Sequence, residues 1–90
     1  MSVTVTMSDL LRRATGQSEP VQVSAASSLE CVQEVANRFP ILKKWLYDEE
    51  TKLKPQVWLS LNGERIYEDE FTRMLKDGDE LSIMLAVLGG

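Results

Sequence analysis

One stretch of helical periodicity lies between segments whose side chains alternate apolar and polar with a period of two, and this arrangement limits the folds open to the chain. Leu29, Val32, Val35, Ala36 and Phe39 recur at helical spacing and form a single apolar stripe. Ser27 followed by Glu30 has capping-box spacing, in which the serine hydroxyl takes one orphan amide and the glutamate returns to another. The helix therefore starts there, and Pro40, which lacks an amide donor, ends it. Upstream, Val3, Val5 and Met7 alternate with Ser2, Thr4 and Thr6, and Val21, Val23 and Ala25 alternate with Gln22 and Ser24. Each is the pattern of a strand with one buried and one wet face. The segment between them, with Leu10, Leu11 and Gly16, reads as a loop, and Pro20 bounds the second strand. The two strands form an opening hairpin.

Downstream, Ile41, Leu42, Trp45 and Leu46 suggest a further helical turn or two before the polar run from Asp48 to Lys52. Val57, Leu59 and Leu61 then alternate with Gln56, Trp58 and Ser60, and Asn62-Gly63 supplies the positive backbone angles of a type I′ turn into a short strand at Arg65 to Tyr67. Asp77-Gly78-Asp79 signals another turn, followed by Leu81, Ile83 and Leu85 alternating with Glu80, Ser82 and Met84. Because the final strand can pair beside the first, the order predicts an α+β fold, a mixed sheet of four to five strands packed on one main helix. Residues 1–85 form that domain and 86–90 a flexible C-terminal tail ending in Gly-Gly. Ninety residues leave no room for a second core and argue against a deep active-site cleft.

Composition excludes several function classes. A net charge of -4 argues against nucleic acid, which needs a clustered basic face, and favours basic partner surfaces. No apolar run approaches the ~20 residues of a membrane span, and no basic-then-apolar leader opens the chain. Cys31 is the only cysteine, so neither a disulfide framework nor a cysteine-based zinc site can form, and a reducing cytoplasm is the expected location. With no histidine to activate it, and lying one step off the helical stripe, Cys31 is not expected to be catalytic. Asp77 and Asp79 flank a turn, where carboxylates shape backbone more often than they hold cations, so no metal site is expected. No nucleophile-and-base pair and no phosphate-cradling glycine loop is present, so no catalytic residue is assigned.

The end of the sequence is the most specific chemical signal. Ala86-Val87-Leu88-Gly89-Gly90 follows the last strand with no charge and no cap. At average glycine usage, two closing glycines arise by chance in roughly one chain in 200. Extended at ~3.3 Å per residue, the five would reach about 16 Å from the sheet edge, far enough to enter another protein's active site. Glycine has no Cβ, so its carboxylate passes a narrow channel and its carbonyl stays open to attack. An ATP-dependent partner would have to convert this poor electrophile to an anhydride before a sulfur nucleophile could displace it, leaving a terminal thiocarboxylate.

These features together, namely the strand and helix order, the Asp77-Gly78-Asp79 turn, the last strand and the Gly89-Gly90 end, resemble the ThiS/MoaD family of ubiquitin-like, β-grasp sulfur carriers, and the likeness covers nearly the whole chain. Val3-Thr4-Val5, Leu11-Arg12, Thr15-Gly16 and the closing Ala86-Val87-Leu88-Gly89-Gly90 look most like the carriers that serve cysteine or siderophore biosynthesis. The resemblance implies an adenylating enzyme that binds the sheet face and uses ATP to activate Gly90, and a sulfur-accepting biosynthetic enzyme that consumes the thiocarboxylate. It implies no cofactor bound by the chain itself and no enzyme activity of its own. Trp58 and Met84 fall on the non-core face of neighbouring strands and, with Thr6, Ser60 and Ser82 around them, suit docking onto the activating enzyme. Single exposed apolar residues are common, so the same two side chains also fit an ordinary surface. The alternative function is a protein modifier of the ubiquitin type, joined through Gly90 to target lysines.

Overall fold

Val3, Val5 and Met7 are buried while Ser2 is exposed and Thr4 and Thr6 are only half-buried, so the first alternation forms strand β1, Ser2–Met7. The computed structural model describes residues 2–86. Strand β2, Val21–Ser24, pairs antiparallel with β1 and buries Val21 and Val23 beside Val5 and Val3. The middle elements are helix α1, Asp9–Thr15, helix α2, Ser28–Arg38, and helix α3, Leu42–Leu46. Strand β3, Val57–Leu61, turns into β4, Glu64–Ile66, and a 3₁₀ turn at Glu68–Glu70 precedes β5, Glu80–Leu85. The sheet order is β2-β1-β5-β3-β4, with β1 and β5 parallel at the centre and the other pairs antiparallel. This is the mixed, β-grasp sheet expected from the sequence, with all five strands present.

Helix α2 is the one main helix expected, α3 falls at the further helical turn expected after Pro40, and α1 is the helix that was not expected. Residues Asp9–Thr15, read as a loop, form α1 because Leu11 is fully buried beneath it, and Gly16, at φ 74°, closes it by donating its amide to the Arg12 carbonyl at 2.8 Å. A helix of under two turns with one fully buried side chain leaves almost no periodic signal, so tertiary contact decides its conformation. Leu42 and Leu46 of α3 are both fully buried, which fixes the expected extra turn against the core.

The cap of α2 follows the sequence with one adjustment. Ser27 Oγ accepts from the Glu30 amide at 3.2 Å, while the Glu30 carboxylate takes the amide of Ala26, one residue earlier than the usual return. The buried face of the helix is Ser28, Cys31, Val32, Val35 and Ala36. Cys31 thus belongs to the core rather than one step off it, and Leu29 and Phe39 lie half-buried at the flanks. The helix sits rotated toward Ser28 and Cys31 relative to the stripe.

The two turns that set the register interlock. Asn62 and Gly63 take φ of 51° and 87°, the positive values a type I′ turn needs, and β4 begins at Glu64, one residue before the expected Arg65. The Asn62 side chain bridges to the other turn, since its amide nitrogen donates to Asp79 Oδ1 at 3.0 Å and its oxygen accepts from the Glu80 amide at 2.9 Å. Asp77 accepts the Ser2 amide at 2.8 Å and Asp79 Oδ2 accepts the Lys76 amide at 2.8 Å. Both carboxylates therefore hold backbone.

Candidate functional site

Among the described residues helices cover one face of the sheet, and alternation carries every second side chain to the other. Thr6 stands opposite Ser82 across the β1–β5 pair, and Ser82 stands opposite Ser60 across the β5–β3 pair. The Thr6 and Ser82 hydroxyls share a hydrogen bond of 2.8 Å. In the next row Trp58 is the direct partner of Met84. Trp58 is 37% exposed and Met84 half-buried, so the pair forms an apolar spot beside a short hydroxyl row. All five residues singled out from the sequence thus lie together on the open face.

Two further side chains belong to this face that sequence reasoning did not single out. Arg65 stands opposite Ser60 in the β3–β4 hairpin, and the same alternation brings Tyr67 to the same side. The Arg65 guanidinium carbon lies 3.8 Å from the centroid of the Trp58 ring and 4.7 Å from that of Tyr67. Both distances fall within cation–π range. The signal that could have found them was the Asn62-Gly63 turn, since a two-residue turn fixes which β4 residues face Trp58 and Ser60.

The open face leads into the end of the chain. The Ala86 amide donates to the Gln56 carbonyl at 2.7 Å, so this residue, assigned from the sequence to the tail, is tied at its amide to the segment entering β3. Pro55, Gln56, Trp58 and Ala86 line a shallow hollow there. Val87, Leu88, Gly89 and Gly90 lie outside the described residues. A second, open groove runs between α2 and the β3–β4 hairpin, lined by Leu29, Tyr47, Leu53, Ile66 and Phe71 among others. Burial raises the Tyr47 hydroxyl above its usual pKa.

Cys31 is fully buried, and its thiol is pushed up to about 11 by burial first and by the charges of Glu30 and Asp79 after it. It stays protonated and out of reach at neutral pH, which disqualifies it as a nucleophile. Asp79 is held below its usual carboxylate range by the Asn62 hydrogen bond and then by the Lys76 amide. Among the described residues no group of three or more acidic or cysteine side chains is placed to share a metal ion, and no helix is long and apolar enough to cross a membrane.

No protein-family model matches the chain, and no curated protein does. Among solved structures, a chain of the BexX/CysO complex of Amycolatopsis orientalis is 35% identical, with 98% of this chain and 99% of that one covered at a TM-score of 0.79. The chain belongs to the ThiS/MoaD family of ubiquitin-like sulfur carriers. CysO of Mycobacterium tuberculosis is similar at 25% identity over 94% of this chain and 99% of that one, with a TM-score of 0.76. The small archaeal modifier protein 1 of Methanosarcina acetivorans is 26% identical over 99% and 96% of the two chains, with a TM-score of 0.83. These are small ubiquitin-like proteins, and the ThiS/MoaD members among them are carriers. The Amycolatopsis structure is a complex of two named proteins, so a member of this group engages a protein partner.

Proposed function

We propose that this member of the ThiS/MoaD family carries sulfur as a thiocarboxylate on Gly90 and is a co-substrate of partner enzymes rather than an enzyme. The observation that carries the reading is that Met84, the cross-strand partner of Trp58, stands two residues before Ala86, so that strand β5 runs from the apolar spot of the open face toward the glycine end. A partner gripping Trp58, Met84, Thr6, Ser60 and Ser82 would then receive the final residues in a fixed direction.

In the first step the Gly90 carboxylate oxygen attacks the α-phosphorus of ATP on the adenylating enzyme, forming an acyl-adenylate and releasing pyrophosphate. In the second, hydrosulfide attacks the acyl carbon, the bond to the adenylate oxygen breaks, AMP leaves and the thiocarboxylate remains. A sulfur-accepting biosynthetic enzyme, in cysteine, siderophore or related metabolism, then consumes it. The chain binds no cofactor in this scheme, because ATP belongs to the activating enzyme, and all steps run in the cytoplasm. The small side-chain volume at Gly89 and Gly90 admits the end to a narrow site.

The modifier reading has its own support in the likeness to small archaeal modifier protein 1. Mass spectrometry of the protein from its own host, under sulfur demand, separates the two. Exchange of one oxygen for sulfur on the C-terminal peptide is the expected result. An unexchanged terminus accompanied by lysine-linked conjugates would replace the donor with the modifier.

A further inference from the structure

We propose that Arg65, stacked on Trp58 and Tyr67, is the docking clamp of the open face and receives a carboxylate from the adenylating enzyme. This deepens the proposed function and rests on it.

The face is nearly neutral. Its rows carry Ser2, Thr4, Thr6, Ser82, Met84, Trp58 and Ser60, and its strand positions add only Glu80 and Arg65 as charges. Arg65 is therefore the cation of a face that belongs to a chain of net charge -4. Its guanidinium plane is used by the two rings. Its N–H edges donate to nothing and pair with no carboxylate among the described residues, whose ion pairs join Arg12 to Asp9 and Arg73 to Glu70. A guanidinium stacked in this way keeps its in-plane fork free, and that fork matches the two oxygens of a carboxylate.

Stacking also lowers the cost of binding. A free arginine loses rotamer freedom when it docks, whereas one already laid over two rings has lost much of it beforehand. Trp, Tyr and Arg are the residue types that dominate interface energetics, and here all three meet at the edge of the Trp58–Met84 spot. Carboxylate is favoured over polyphosphate as the occupant because Glu68 lines the same groove as Arg65, Trp58 and Tyr67 and would repel a multiply charged anion more strongly than a single carboxylate.

The test is steady-state adenylation of the intact protein by its host's adenylating enzyme, with the carrier as the varied substrate. Arg65→Ala is expected to raise KM about tenfold to a hundredfold with kcat unchanged, since a lost charge-assisted pair weakens docking and leaves the reacting end alone. Arg65→Lys keeps the charge but not the fork, so it should recover only a minor part. The wild-type KM should rise with salt, and that of Arg65→Ala should rise less. Arg73→Ala, which removes a different exposed cation, should match wild type. Arg65→Ala and Arg65→Lys with wild-type KM would overturn the clamp while leaving Gly90 activation in place. A fall in kcat at unchanged KM would also overturn it, because Arg65 would then act on the reacting groups. No adenylation of the wild type would overturn the Gly90 reading and the clamp with it.

Discussion

Replacing Leu11 with alanine tests whether the helix α1 belongs to the core. Leu11 is fully buried, and its helix contacts β1, β5 and α3 while being too short to persist alone. Removing a buried leucine side chain costs about 2–5 kcal/mol, combining lost transfer energy with the cavity left behind. A domain of this size has roughly 5–13 kcal/mol in total, so the loss is a large share. At about 4–8 °C per kcal/mol, the melting temperature should fall by roughly 8–40 °C. Urea unfolding followed by circular dichroism should show the midpoint move with the slope unchanged. Leu10→Ala, at a half-buried position on the same helix, should cost under about 1 kcal/mol. Because α1 lies on the helix-covered side, Leu11→Ala kept well below its melting point should retain the wild-type KM for adenylation. A melting temperature within about 4 °C of wild type would refute the packing of α1. A raised KM in a folded variant would refute the separation of core and docking face.

Gly90→Ala should sharply reduce adenylation while the melting temperature stays at the wild-type value; equal losses of both would make the end of the chain structural. Asn62→Asp should destabilise the fold at neutral pH, because the 3.0 Å amide contact becomes a carboxylate facing the Asp79 carboxylate. In the wild type the depressed Asp79 pKa contributes stability above the ordinary carboxylate range and loses it as pH falls through the lower folded value, so the gap between the two proteins should narrow on acidification. A gap independent of pH would show that turn geometry, not charge, sets the cost. Cys31 should resist alkylation by iodoacetamide at pH 8 until the protein unfolds. Its raised pKa means stability is full below pH 9.0, the unfolded value, and falls as pH rises toward about 11. A Cys31→Ala variant with the same alkaline decline would assign that decline to other groups.

The strands were legible because each has one wet face, so period two survives in Ser2 to Met7 and again in Glu80 to Leu85. Helix α2 was legible for the same reason at a different period, and its cap was written into Ser27 and Glu30. Helix α1 was not, because seven residues span fewer than two turns and bury a single leucine completely. The rotation of α2 that buries Cys31 was hidden as well. A helical stripe fixes an apolar direction only to within a residue, and the angle itself is settled by tertiary packing, since α2 meets β1, β2, β5 and α3.

The open face was half legible, and the missing half explains why a register matters more than a residue list. Alternation alone places Trp58 and Met84 on one side of their own strands. It takes the direct pairing of Trp58 with Met84, and of Ser60 with both Ser82 and Arg65, to turn separate positions into one surface. That pairing follows from the Asn62-Gly63 turn, whose bridge to Asp79 and Glu80 locks the β3–β4 hairpin against the start of β5. A slip of one residue at this turn would carry Arg65 to the opposite side of the sheet and separate it from Trp58. The turn and the arginine clamp are therefore coupled, and a variant that loosens Asn62 should weaken docking through Arg65 even though the Asn62 amide group bonds to Asp79 and the Glu80 amide rather than to Arg65.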